Sequence, residues 1–152
     1  MKKIAFVVSL GVVASFTAAQ AADTGKSLYD RLGGKPAIQA VANGLVDQIL
    51  IDNRVNKWFA HAAASPENTK AYKTNLADFL CMSAGGPCKY SGPDMMSAHK
   101  GRGITNDAFA AVAQDLSIVL DHLQVPEQEK TQVMQLAASL KPTIVQSGAN
   151  QK

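Results

Sequence analysis

The chain has 152 residues and a formal charge of +3 at pH 7, from 15 lysines and arginines against 12 aspartates and glutamates. Two of the positive charges, Lys2 and Lys3, lie in a segment that we expect to be removed. The charge therefore favours neither a nucleic acid nor an anionic membrane as a partner. The length is enough for one domain with one hydrophobic core.

Residues 1–21 have the pattern of a secretory signal peptide. A basic start is followed by an uncharged, mostly apolar run over residues 4–19, and Ala19-Gln20-Ala21 matches the small-x-small cleavage pattern. The run is short for a membrane anchor and has no stop-transfer flank, so an anchor is the less favoured interpretation. We expect cleavage near Ala21, a periplasmic or secreted protein, and no membrane association of the mature chain.

The remaining sequence predicts one all-α domain over residues 22–146 and a frayed tail over residues 147–152. Its apolar residues recur at helical spacing, and neither a strand pattern nor an internal repeat is evident. The predicted helices are bounded by capping residues, glycines and prolines: a short one from Ser27 to Gly33, a long one from Pro36 to Asp52, a long one from Ser65 to Gly85, a short one ending at His99, a long one capped by Thr105, and a last one from Pro126 that Pro142 kinks or ends. Loops are predicted at residues 60–64 and 87–93.

The chain contains two cysteines, Cys81 and Cys88. In an exported protein they are suited to a disulfide that closes a small loop, but two free thiols fit the sequence nearly as well. Neither belongs to a Cys-x-x-Cys-His pattern, which excludes a covalently attached c-type haem.

One histidine stands in a pattern that suits an iron porphyrin. His99 follows a pair of methionines on a short helix and precedes Gly101-Arg102-Gly103, which must end that helix. An imidazole at an apolar slot could ligate iron, and a guanidinium nearby could lie close to the propionates. The competing interpretation is that His99 only packs in the core or caps a helix C-terminus, where imidazole is also favoured.

Several motifs together resemble the group I truncated haemoglobins. They are Leu28 to Gly34, Trp58-Phe59, Gly85-Gly86-Pro87 followed by Tyr90-Ser91-Gly92, and Met95 through Thr105, in family order from about Ser27 to about Val145. The last motif, Met-x-x-x-His-x-Gly-x-Gly-Ile-Thr, is the most specific. The resemblance implies a truncated globin: a two-over-two helical sandwich around a non-covalent haem b.

Carried over residue by residue, the resemblance makes His99 the proximal iron ligand and the only metal ligand. The other positions that it assigns to haem contact are Trp58, Phe59, Tyr72, Leu76, Leu80, Met95, Arg102, Ile104, Phe109 and Val112. Arg102 lies where the family has a cation near a propionate, although a solvated surface arginine is an equal alternative. For the apolar members, a place in the core and a place in the haem wall do not conflict.

The distal side departs from the common family pattern. Val46 takes a helix position where many relatives have a tyrosine, and Leu76 takes one often filled by glutamine. Tyr72 lies one helical turn before Leu76 and is the candidate hydrogen-bond donor to a bound gas, unless its ring lies at the pocket rim. With fewer donors, tight retention of oxygen is in doubt.

The resemblance therefore implies reversible binding of dioxygen, and of nitric oxide or carbon monoxide, by a protein used in oxygen binding or transport. One alternative is a nitric oxide dioxygenase or a peroxidase-like haem enzyme, although no acid–base pair dedicated to catalysis is evident and we assign no catalytic residue. Another is a haem-free helical interaction module. His61 is expected to be exposed, and His122 to end the long helix, where a cation suits the helix dipole. No reductase partner is indicated.

Overall fold

The computed structural model describes residues 25–146, so the leader, its cleavage site and the tail lie outside the described residues. Within this range the chain is helical and contains no strand. The elements in order are α1 (Leu28–Leu32), α2 (Gly34–Ile51), a 3₁₀ helix (Asn56–Phe59), α3 (Ala60–Ala63), α4 (Pro66–Ser83), α5 (Met95–His99), α6 (Asn106–His122), α7 (Glu127–Ser139) and α8 (Lys141–Ile144). The predicted all-α class is confirmed.

Side-chain caps mark the start of two of the long helices, α4 and α6. The Ser65 hydroxyl accepts a hydrogen bond from the Asn68 amide at 3.1 Å at the start of α4, and Thr105 does the same for Ala108 at the start of α6. These side chains satisfy backbone N–H groups that the first helical turn leaves without a partner. Pro142 lies in the first turn of α8, after α7 has ended, as expected.

The loop predicted at residues 60–64 is wrong. Residues Ala60–Ala63 form the short helix α3, directly after the 3₁₀ helix. Three of its four residues are alanines, and alanine has the highest intrinsic helix propensity. The small side chains that suggested a loop therefore favoured a helical turn instead.

Two helix pairs stack to form the core: α2 packs against α4 and against α6, and α6 packs against α7. The larger buried cluster joins Val41, Leu45 and Ile49 of α2 to Leu116 and Leu120 of α6. A second cluster joins α2 to α4 through Ile38, Ala42, Ala77 and Cys81. This is the two-over-two arrangement that the resemblance implied.

A close approach of two backbones explains Gly44, in the middle of α2. A Cβ at this position would lie 2.8 Å from Cγ1 of Val119 on α6. The short branched valine side chain has little freedom to move away. The absence of a side chain at Gly44 is thus what lets α2 and α6 cross at this distance.

Candidate cofactor site

The site is organised around His99, the last residue of α5. Asp94 caps this five-residue helix by accepting a hydrogen bond from the Ser97 amide at 2.9 Å. Nδ1 of His99 lies 2.7 Å from the carbonyl oxygen of Met95, one turn earlier. A carbonyl can only accept, so Nδ1 carries the proton and Nε2 keeps its lone pair. In residues 25–146 no hydrogen bond occupies Nε2, and this is the state that a ligating imidazole requires.

The turn after His99 depends on glycine conformations. Gly101 and Gly103 have φ values of 75° and 65°, in the left-handed region where a side chain would be strained. The Arg102 amide donates to the His99 carbonyl oxygen at 3.2 Å. The Gly-Arg-Gly sequence therefore ends α5 immediately after the imidazole, as predicted.

Trp58 is tied to this turn across the domain. Its Nε1–H donates to the carbonyl oxygen of Arg102 at 2.9 Å, and Nζ of Lys57 lies 4.2 Å from the centre of its ring. The indole was expected as a cofactor contact. In the structure, the hydrogen bond from Trp58 to Arg102 also joins the 3₁₀ helix to the turn that follows His99.

Phe59 and Tyr72 contact each other, and Arg102 acts electrostatically on Tyr72. The rings of Phe59 and Tyr72 meet edge to face with centroids 5.8 Å apart. Burial raises the pKa of Tyr72 to about 12, although the Arg102 guanidinium acts in the opposite direction. The phenol therefore stays protonated at neutral pH and keeps a hydrogen to donate. The Arg102 side chain is exposed.

Several apolar side chains assigned to haem contact pack against the main core without being fully buried. They are Trp58, Phe59, Leu76, Leu80 and Val112. Ile104 is 8% exposed and belongs to the core cluster itself. A flat apolar ligand could cover the partly exposed surface of these side chains. The donor set and these side chains thus fit a porphyrin.

The remaining assigned positions take the following places. Met95 is partly exposed and supplies the carbonyl that orients His99. Phe109 is partly exposed in the first turn of α6, with Nζ of Lys141 6.0 Å from its ring centre. Val46 is only 1% exposed, so a larger ring there would overpack the core. His61 is exposed and His122 ends α6, both as expected, and His122 is exposed as well.

The two cysteines form a disulfide, with an S–S distance of 2.02 Å and a Cα–Cα distance of 5.7 Å. Of the two alternatives left open by the sequence, the structure has the bonded one. Gly86 lies inside the loop, and a Cβ there would be 2.5 Å from the Tyr29 ring and 2.7 Å from Sγ of Cys81. The loop between α4 and α5 therefore closes tightly against α1.

Two residues of the site were not found from the sequence. Asp94 caps α5, and its signal was present as an aspartate three residues before Ser97. Gln146 hydrogen-bonds to Gly103 and to His99 from the far end of the chain. No local pattern marks Gln146, because its partners lie more than 40 positions away.

Comparisons with known proteins agree with this geometry. The model of the bacterial-like globin family matches residues 27–146. A group 1 truncated hemoglobin of Mycolicibacterium paratuberculosis is 31% identical over 118 residues, covering 78% of this chain and 83% of the relative. The truncated hemoglobin of Tetrahymena pyriformis in its Fe(III) form superposes with a TM-score of 0.71 at 26% identity, covering 80% of this chain and 100% of that one. The 2/2 hemoglobin of a Synechococcus species, solved in the cyanomet state with covalently attached heme, has a TM-score of 0.67 at 28% identity, covering 76% and 94%.

Proposed function

Because the chain belongs to the bacterial-like globin family, we propose that it is a haem protein that reversibly binds dioxygen and other diatomic gases, with His99 as its one protein ligand. The observation that carries the proposal is the state of the His99 ring. Nδ1 of His99 donates a hydrogen bond to the Met95 carbonyl oxygen, 2.7 Å away, and Nε2 is left available. Haem, when bound, would supply an iron that the His99 imidazole could hold and that could bind a diatomic gas.

The chain's own residues would hold the cofactor without a covalent bond. Both sulfur atoms are used in the Cys81–Cys88 disulfide, so neither thiol is available for a thioether link. The partly exposed apolar side chains assigned to haem contact offer hydrophobic contact instead. Extraction of the haem into acidified butanone tests this proposal. Haem that stays with the polypeptide, and adds to its intact mass, would show attachment through another side chain.

On the gas side, Tyr72 is the proposed donor. Its hydroxyl stays protonated over the physiological pH range, and its ring is supported by the edge contact with Phe59. Leu76 would contribute only apolar surface, and Val46 is buried in the core and carries no donor. A bound dioxygen would therefore receive at most one strong hydrogen bond from this side, so we propose a gas-binding role with moderate retention of oxygen.

We also propose that the protein is exported to the periplasm or secreted. The disulfide supports an oxidising compartment, since cytosolic thiols are generally kept reduced. The expected signal peptide lies outside the described residues. Intact-mass measurement on protein from an exporting host tests both points. We expect a chain that begins near Ala22 and is two hydrogens lighter than its reduced form.

The first test of function removes the imidazole. We expect His99→Ala to lose stable haem incorporation, with partial recovery when free imidazole is added, because no other histidine in residues 25–146 has its ring oriented by a hydrogen bond to a backbone carbonyl. His61→Ala and His122→Ala are matched controls, since both histidines are exposed. Absorption spectra of the ferric, ferrous and carbonmonoxy forms give the readout. A wild-type spectrum in His99→Ala, with loss in either control, would show that the ligand is misassigned.

A further inference from the structure

Gln146, just beyond α8, bridges both ends of the turn that follows His99. Its side-chain oxygen accepts a hydrogen bond from the Gly103 amide at 2.8 Å, and its side-chain nitrogen donates to the His99 carbonyl oxygen at 3.2 Å. Its backbone amide donates to the carbonyl oxygen of Ile104 at 3.1 Å. One residue thus makes three hydrogen bonds to the segment that carries the imidazole.

The segment gains from such support, although the Trp58 indole bonds to the Arg102 carbonyl and Asp94 caps α5. The helix α5 has five residues, too few for a helix to be stable by itself. It continues into a turn with two glycines, whose flexibility in the unfolded chain makes ordering costly. The Met95 carbonyl orients the ring within α5, but it cannot fix α5 relative to the core.

The chemistry of an amide suits this place. The turn presents a donor, the Gly103 N–H, and an acceptor, the His99 C=O, to the same side chain. A glutamine satisfies both, whereas a glutamate could accept from Gly103 but would place a carboxylate against a carbonyl oxygen. A leucine of similar size could satisfy neither.

We propose that Gln146 is a positioning residue for His99: by clamping the turn, it sets the direction of Nε2 and hence the geometry of the bond from the imidazole to the cofactor. The effect on the bond to the cofactor rests on the proposed function, whereas the clamping of the turn by Gln146 does not. The end of α8 thereby helps to determine how the proximal side binds haem.

The test uses the full chain, with and without haem, and three variants. Gln146→Leu removes both side-chain hydrogen bonds, and Gln146→Glu keeps only the acceptor. Gln135→Leu is the control, because Gln135 is exposed on α7. In the haem-free protein, hydrogen exchange of the Gly103 amide and the tautomer of the His99 ring are measured by NMR. In the haem-loaded protein, the iron–histidine stretching frequency is measured by resonance Raman spectroscopy.

In Gln146→Leu we expect Gly103 to exchange about thirtyfold faster, as two lost neutral hydrogen bonds predict. We also expect a mixed His99 tautomer and a shifted iron–histidine stretch. Gln146→Glu should protect Gly103 nearly as well as glutamine does but still alter the ring. The control should match the wild type. If exchange changes while both ring signals stay as in the wild type, Gln146 only ties down the chain end and the proposal is wrong. If the wild type binds no haem, the proposed function fails, and the haem-free ring and amide measurements still decide the clamp.

Discussion

Replacing Tyr72 by phenylalanine tests the gas side of the site most directly, because it removes one oxygen atom and keeps the ring. The edge contact with Phe59 at 5.8 Å involves the ring alone and should survive. Burial raises the pKa of Tyr72 to about 12, so the hydroxyl lies in a poorly solvated place and carries its proton at pH 7. Any hydrogen bond that it donates there is less weakened by water than one at the surface.

The size of the expected change in the dioxygen off-rate follows from that environment. A neutral hydrogen bond contributes about 1 kcal/mol net, with about 1.5 kcal/mol at the upper end of the usual range. About 1.4 kcal/mol corresponds to a factor of ten in rate. We therefore expect Tyr72→Phe to raise the dioxygen off-rate about five- to tenfold. Carbon monoxide is less polar when bound, so its off-rate should change much less.

Stopped-flow displacement of dioxygen by carbon monoxide gives the rate, and Tyr90→Phe is the matched control. The Tyr90 hydroxyl donates to the Pro93 carbonyl oxygen at 3.0 Å, in the loop between α4 and α5. Its loss should leave both off-rates unchanged. If Tyr72→Phe also released dioxygen at the wild-type rate, the hydroxyl would be turned to solvent, and the argument from burial would be refuted.

Three further predictions concern stability. Because the pKa of Tyr72 is raised from 10.0 to about 12, its contribution to the free energy of unfolding is fully present below pH 10 and is lost as the pH rises towards 12. Denaturant titrations should show that the free energy of unfolding falls by about 2–3 kcal/mol over this range, and that Tyr72→Phe lacks this fall. Reducing the Cys81–Cys88 disulfide should lower the free energy of unfolding by only about 2 kcal/mol, because the loop is short, and should leave haem binding intact; two alkylatable thiols in unreduced protein from the periplasm would contradict the bond itself. Gly44→Ala should destabilise the fold by about 1–2 kcal/mol despite alanine's better helix propensity, because its Cβ would meet Val119; urea denaturation that shows a gain in stability would mean that α6 moves aside easily.

Much of the helical framework could be predicted from the sequence alone, because helix ends depend on neighbours three or four positions away. Ser65 and Thr105 begin their helices by bonding amides three residues on, and the glycines after His99 end α5. His99, the proposed iron ligand, is also held by a contact of this short range. Nδ1 of His99 bonds the carbonyl of Met95 four residues earlier, so the orientation of the ring follows from helix spacing. The prediction of a loop at residues 60–64 was wrong because alanine is compatible with both a loop and a helix, and here it continues the preceding 3₁₀ helix as α3.

Contacts between distant segments were decided only by tertiary structure. Trp58 bonds to Arg102 across 44 positions, Gln146 bonds to His99 across 47, and Arg31 donates to Glu129 across 98. None of these pairs has a local signature, since each forms only after helix packing has brought the two segments together. For the same reason, the resemblance could assign apolar residues to haem contact, but their partial exposure became visible only once α2, α4 and α6 were packed. Hydrogen bonds over three or four residues are specified locally, whereas the arrangement around His99 depends on how the whole core closes.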